Sequence, residues 1–464
     1  MSRHARAHWP ALHAAAALLL TSWARPACAA APPPTTFALD HVAVVDVRTG
    51  EVARDRIVVV SGGHVRAVAA SGATEPPAGT LLLNAHGKFL IPGLWDMHVH
   101  IHDPGFLTLL VAEGVTGVRE MGGVPATVRD WRDRVAAGRL LGPRIVMAGE
   151  IVDGPDPTWP AISRSVRTPG EGRAAVSASL REGSDFIKVY NGLSRESYLA
   201  IVDEANHRHV DVAGHVPFAI TAVEAADAGQ RSIEHLSGAL EGCTSQPHPI
   251  ALGQDHAWHL AHFDPRLADS LCATFVRDGT WQVPTLVMRR AFARAPAAAA
   301  ADDPRLDYIP GRVRSGWAND RRIAGRRPAF FAQLEQVFEK DRDLVGRMHR
   351  AGVRFLAGTD LGNPYIYPGF SLHDELGLLA GSGLTPLEAL QSATLGPAEF
   401  FRATDSLGTI EPGKVADLVL LDASPLDDIA NVGHIAAVCA HGALLGRATL
   451  DKLLRDVQVQ AGVR

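Results

Sequence analysis

The residues with the clearest chemical potential end short apolar segments scattered along the chain. One segment ends Asp96-Met-His98-Val-His100, and others end Phe186-Ile-Lys188-Val-Tyr190, Ala213-Gly-His215, Ile233-Glu-His235 and Gly358-Thr-Asp360. Alternate side chains of an extended chain point the same way, so His98 and His100 share a side. Imidazole nitrogen and carboxylate oxygen are ligands that suit Zn²⁺. Lys188 is the odd member, because an ammonium group repels a cation. If burial and nearby positive charge depress its pKa, the neutral amine can combine with CO₂. The resulting carbamate could bridge two metal ions about 3.5–4 Å apart. A hydroxide held between two metals is a strong nucleophile at neutral pH. Asp360 would orient it, take its proton and deliver that proton to the leaving group. The chain carries no Gly-Xaa-Ser-Xaa-Gly motif, which agrees with hydrolysis that uses no serine nucleophile.

What positions these residues is an alternation of strand and helix patterns. Apolar strand candidates recur at 93–100, 114–120, 144–148, 185–190, 210–216, 232–235, 281–287 and 354–360, separated mostly by amphipathic segments such as 173–182, 195–207, 220–227 and 341–351. Continuous apolar strands alternating with helices imply a parallel sheet covered by helices. The number of units fits a (β/α)₈ TIM barrel better than an open sheet, which would show a glycine-rich phosphate loop after its first strand. Functional residues of such a barrel sit at the C-terminal strand ends, where the first, fourth, fifth, sixth and eighth candidates carry the residues above. With 21 histidines in the chain, one strand-end histidine says little, and a lone lysine or aspartate is more often a salt-bridge partner or helix cap. Their convergence carries the weight.

At both ends of the chain the pattern changes to short alternating strands, 37–47, 56–60 and 64–69 before the barrel and 416–422 and 435–440 after it. These predict one small β-sandwich domain built from residues 30–90 and 403–464, flanking a barrel over 91–402. The stretches 238–281 and 289–328 are too long for simple connections and predict lids or specificity loops. Gly408–Val415 has Walker-like spacing, but it ends in valine where a magnesium-binding hydroxyl is required, and it reads as a turn. Glu120 ends the second strand, where it could touch the site, but it reads more readily as a structural salt-bridge partner. His102, His207, His209 and His373 fall in loops or helices and are assigned no metal.

Composition narrows the class. Lys and Arg total 45 against 50 Asp and Glu, for a net charge of −5, with 47% hydrophobic and 20% charged residues. A large core is available, and the absence of a basic block argues against nucleic acid or an anionic membrane as partner. Arg3 and Arg6 precede the apolar run Ala11–Leu20, and Ala27-Cys28-Ala29 offers small residues for cleavage after Ala29. Residues 1–29 therefore predict a signal peptide and a secreted or periplasmic protein. That run is shorter than the ~20 residues a membrane span needs. An oxidising compartment permits a Cys243–Cys272 disulfide, whereas Cys439 reads as a buried small hydrophobe.

Five segments together make the chain resemble the amidohydrolase superfamily of metal-dependent hydrolases over its mature length. They are Ile91-Pro-Gly-Leu-Trp-Asp-Met-His-Val-His100, Phe186-Ile-Lys-Val-Tyr190, Val212-Ala-Gly-His-Val-Pro217, Ile233-Glu-His-Leu236 and Ala357-Gly-Thr-Asp-Leu-Gly362. Glu411-Pro-Gly-Lys-Val-Ala-Asp-Leu-Val-Leu420 is similar to the family's return into its small β-domain. The resemblance implies that His98, His100 and Asp360 hold the more buried of two zinc ions, that His215 and His235 hold the second, and that carboxylated Lys188 bridges them. Gly358-Thr-Asp-Leu-Gly-Asn363 with Pro368-Gly-Phe-Ser-Leu-His373 resembles the Xaa-Pro dipeptidase and imidazolonepropionase-related branch. Members with a bridging lysine act on dipeptides, N-acyl amino acids and, in some cases, bulky aromatic amides. Tyr190 would then hydrogen-bond the substrate's carboxylate or the developing oxyanion, against the alternative of a tyrosine packed beneath the site. The expected partner is a small-molecule or dipeptide substrate, and a homo-oligomer is expected by analogy alone. Two alternatives stand beside this one. A mononuclear cyclic-amide hydrolase or deaminase would not use Lys188 as a bridge, and a catalytically silent metal-binding protein would be expected to have lost a ligand.

Overall fold

A computed structural model describes residues 34–246 and 256–462 of the chain. The expected signal peptide, its cleavage after Ala29 and Cys28 lie outside the described residues. The fold is α/β. Strands run β1 Thr36–Val45, β2 Val52–Ser61, β3 His64–Ala70, β4 Leu81–Asn84, β5 Phe89–Pro92, β6 Leu94–Val99, β7 Val115–Glu120, β8 Arg144–Met147, β9 Ile151–Asp153, β10 Ser163–Ser165, β11 Ile187–Val189, β12 Val212–Gly214, β13 Ser232–Glu234, β14 Trp281–Val283, β15 Leu418–Leu421, β16 Ile435–Ala440 and β17 Ala443–Gly446. No helix among the described residues is long and apolar enough to cross a membrane.

Both ends of the chain contribute to one sheet, ordered β17-β16-β15-β5-β1-β2-β3, with β4 also paired to β1. The junction is antiparallel, with Leu90 of β5 opposite Leu420 of β15. The start of β3 returns to the segment before β15, where Val65 N donates to Lys414 O at 2.9 Å and His64 bridges Val415. Phe37, Leu39, Val58, Leu90, Leu418 and Cys439 share one buried cluster. The strands expected of a sandwich pair into one continuous sheet that carries this cluster. Cys439 is buried as expected, and Cys243 and Cys272 are free buried thiols rather than a disulfide.

The remaining strands form two parallel sheets, β6-β7-β8 and β10-β9-β11-β12-β13-β14. Asp185 N donates to Met147 O at 2.8 Å, joining the end of β8 to the start of β11. On the other side, residues 354–360 carry backbone bonds to both sheets: Leu356 N to Gln282 O at 2.9 Å, and Met97 N to Ala357 O at 2.9 Å. This segment is not the regular eighth strand that its sequence predicts. The reason is local: Thr359 gives its N–H to the Asp96 carboxylate at 3.0 Å instead of to a neighbouring strand, and Asp360 turns into the left-handed region with φ 59°. The three-residue strands β9 and β10 have no counterpart in the sequence pattern, because they lie in a Pro- and Gly-rich stretch that reads as loop.

Helices cover the parallel strands. Arg195–His207 begins at Ser194, whose side chain accepts from Ser197 N, and Ala222–Asp227 begins with a capping box of Thr221 and Glu224. The predicted helix over 341–351 is the last part of a longer one, Pro328–Ala351, with proline in its first turn and Gly352 as its left-handed C-cap. The long connections fold as short helices, including Pro265–Asp278, Leu286–Ala293 and Gly311–Ala318.

One close backbone approach fixes the loops that carry Tyr190 and Asn191. Asp153 Oδ1 accepts from Gly154 N and from Gly192 N, both at 2.8 Å. A Cβ on Gly154 would lie 1.9 Å from Gly192 O, so only glycine allows the two loops to meet. Gly154→Ala is expected to lower stability by about 1–3 kcal/mol, the range for overpacking, with urea unfolding as the measurement.

Candidate metal centre

The strands place four histidines with one ring nitrogen each already committed. His98 Nδ1 donates to Glu234 Oε2 at 2.7 Å, His100 Nδ1 to Gly122 O at 2.8 Å, and His215 Nδ1 to Asn191 Oδ1 at 2.8 Å. His235 Nδ1 lies 2.7 Å from Thr285 Oγ1, whose own proton goes to Pro284 O at 2.8 Å, so that oxygen accepts from the ring. A proton held on Nδ1 leaves Nε2 with its lone pair, the form in which imidazole ligates a metal. His98 Nε2 is buried with no hydrogen-bond partner. Burial holds His98, His215 and His235 well below the usual histidine range and His100 down to about 4, which keeps the rings neutral.

Asp360 closes the group. Its Oδ1 lies 3.4 Å from His98 Nε2 and 3.6 Å from His100 Nε2, and its Oδ2 lies 3.8 Å from His235 Nε2. Ligand atoms of His98, His235 and Asp360 all fall within 4.8 Å of one another. This compact trio cuts across the division implied by family resemblance, which pairs His98 with His100 and His235 with His215. The His215 ring sits 4.9 Å from that of His235, centre to centre. Lys188 is 1% exposed, its Nζ has no hydrogen-bond partner, and burial lowers its pKa to about 8. A buried amine without a partner beside neutral imidazoles is poorly solvated as an ammonium ion. The unpaired Nε2 of His98 and Nζ of Lys188, close to the Asp360 carboxylate, fit a metal ion.

Tyr190 stacks on His215, with ring centres 4.0 Å apart, and its hydroxyl oxygen accepts from Trp159 Nε1 at 3.0 Å. It faces a cavity of about 600 Å³ that also exposes His215, His235 and Asp360, while Met288, Phe292 and Val337 line another part of its wall. The tyrosine therefore lines the same cavity as His215, His235 and Asp360.

Several supporting residues escaped the sequence pattern. Glu234 binds His98 and also accepts from Arg119 Nη2 at 2.8 Å and Ser232 Oγ at 2.6 Å. Asp96 accepts from Thr359 Oγ1 at 2.6 Å. Their signal was charge at positions that must be buried: Asp96 shares a strand face with His98 and His100, and Arg119 lies within an apolar strand. Glu120 is not the salt-bridge partner expected. It is fully buried, accepts from Gly122 N at 3.2 Å through Oε2, leaves Oε1 without a partner, and burial raises its pKa to about 8. Desolvation is the largest cause of that rise, and the charge of Lys188 opposes it. Among the other histidines, His102, His207 and His373 each have one ring nitrogen on a backbone carbonyl oxygen. Replacing Glu234 with alanine leaves Arg119 buried and unpaired, an expected loss of about 3–5 kcal/mol in denaturant unfolding.

The model of the amidohydrolase family matches residues 89–463. Among solved structures, a bottromycin amidohydrolase shares 27% identity and a TM-score of 0.75, with 93% of this chain and 91% of that one covered. A prolidase-designated protein of Bifidobacterium longum shares 28% identity and a TM-score of 0.69, with 92% and 100% covered. An adenine deaminase of Rubrobacter xylanophilus is 22% identical over 408 residues, 84% of this chain, and the chain spans about half of that relative, 54% of its length. The matched segment contains every histidine, lysine and carboxylate of the centre, and the chain belongs to the amidohydrolase family of hydrolytic enzymes acting on carbon–nitrogen bonds.

Proposed function

We propose that the chain is a metallo-hydrolase that cleaves the amide bond of dipeptides or N-acyl amino acids, and that its two parallel sheets and residues 354–360 are one (β/α)₈ barrel. The observation that carries the function is the set of four histidines, each with Nδ1 bonded inside the protein. Together with Asp360 and the partnerless Lys188, they would hold two zinc ions, with Lys188 carboxylated between them. When bound, the metal supplies Lewis-acid polarisation of the scissile carbonyl and makes water acidic enough to deprotonate near neutral pH.

The chain's own residues do the rest. Asp360 is held by its N–H on His98 O at 2.8 Å and by Asn363 Nδ2 on its carbonyl at 2.9 Å, so its carboxylate stays aimed at the histidines. From there it accepts the attacking water's proton and returns it to the departing nitrogen. Tyr190 already accepts from Trp159, which leaves its O–H free to donate to the oxyanion or to a substrate carboxylate. The surrounding cavity is large enough for a dipeptide and partly apolar, which suits a neutral acyl side chain. The likeness to a bottromycin amidohydrolase and a prolidase supports amide cleavage. The compact trio and the likeness to an adenine deaminase favour a second reading, a one-metal deaminase or cyclic-amide hydrolase. Residues 1–29 fit export as a signal peptide, and residues 30–90, 91–402 and 403–464 are our proposed domain divisions.

Metal analysis of the purified chain should return about two zinc per molecule. Hydrolysis should appear on a panel of Xaa-Pro, Xaa-Arg and N-acyl-amino-acid substrates. Lys188→Ala and Asp360→Asn should each lower kcat by about 10³-fold or more, the scale on which removal of a general base or key electrostatic group is felt. One metal per chain with unchanged turnover in Lys188→Ala would instead establish the one-metal alternative.

A further inference from the structure

We propose that Arg322 anchors the substrate's carboxylate, so that the cavity selects amides whose leaving group carries a free acid. The substrate in this proposal rests on the amide-hydrolase reading above, whereas the choice of residue rests on geometry. Arg322 lines the same cavity as Tyr190, Asp360 and Asn363. Its guanidinium is fixed in place: Nε donates to Asp320 Oδ1 at 2.9 Å, Nη2 to Asp320 Oδ2 at 2.6 Å, and Nη1 to Asn363 Oδ1 at 2.7 Å. A guanidinium has five N–H groups, so two remain for a ligand. Two rings lie over it, Trp159 at 5.2 Å and Phe292 at 4.7 Å. Aromatic faces strip water from the ion without pairing its N–H groups, and they stop the side chain from swinging away.

The restraints also tie this ion to the reacting groups. Trp159, which covers Arg322, donates to the Tyr190 hydroxyl, and Asn363, which accepts from Arg322, donates to Asp360 O. A carboxylate seated on Arg322 is therefore held at a set distance from Tyr190 and Asp360. Asp320 balances the formal charge, so recognition comes from directed N–H donation more than from net attraction. Arg289, another guanidinium on the cavity wall, is the competing anchor. Its Nη2 donates to His235 O at 2.8 Å, and its Nε lies 3.3 Å from the buried Asp341.

The test is calorimetric titration of the full chain with L-phenylalanine and with L-phenylalaninamide, a leaving group in its acid and capped forms. Wild type should bind the acid about tenfold or more tightly than the amide, the range for hydrogen bonds to a charged group. Arg322→Gln should lose that preference with its metal content unchanged, and Arg322→Lys should keep part of it. Arg322→Lys also serves if the glutamine variant fails to fold. Equal binding of acid and amide by wild type would overturn the proposal, as would a preference that survives Arg322→Gln and disappears in Arg289→Gln. Binding is read without turnover, so a chain that prefers the acid yet hydrolyses none of the substrate panel would sink the amide-hydrolase reading and leave the anchor standing.

Discussion

The fully buried carboxylate of Glu234 is the interaction on which the centre depends. An ion in an apolar interior is tolerated only when its lone pairs are spent, and Glu234 spends them on Arg119, Ser232 and His98. Arg119 reaches further, donating from Nε to Met97 O at 2.7 Å. One anion thus binds β6, β7 and β13 together and sets the protonation of His98 in the same act. Fold and chemistry share a single electrostatic requirement here, so neither can be altered alone.

Around that anion the backbone is held away from its preferred conformations. His235, Leu236, Thr285 and Asp360 all have φ between 50° and 60°, where a side chain crowds the following carbonyl at roughly 1–2 kcal/mol per residue. His235, Thr285 and Asp360 are fastened by specific contacts. Glu375 accepts from Leu286 N at 3.0 Å and Val287 N at 2.7 Å, which fixes the chain directly after Thr285. Thr285 then meets His235, and Asp360 hangs from His98 O. Strain of this kind concentrates where side chains must be aimed from the ends of strands, and the hydrogen bonds that offset it lie behind the site.

Much of this was legible in the residues themselves. The strand–helix alternation, the pairing of both chain ends and the convergence of His98, His100, Lys188, His215, His235 and Asp360 follow from local periodicity and residue type. What periodicity could not show is the partner of each charge. Glu234 looks like any residue before a histidine until Arg119 arrives from a distant strand, and Glu120 looks like a salt-bridge carboxylate until its burial is known. The segment 354–360 is irregular as a strand for a related reason: a side chain, Asp96, takes the Thr359 N–H. Arg322 was hidden in a stretch with no pattern, because its role arises from partners such as Trp159, which is remote in sequence.

The seam between Leu90 and Leu420 has a consequence for how the chain is made. Strand β5 leaves the ribosome early, with a hydrogen-bonding edge that nothing can cover until Leu418–Leu421 follows. Open edges invite pairing with other chains, and contacts so far apart in sequence form slowly. A nascent chain therefore carries a sticky margin through most of its synthesis, and a product truncated before β15 keeps it permanently. The small sheet works as a clasp that shuts only on a chain carried through β15.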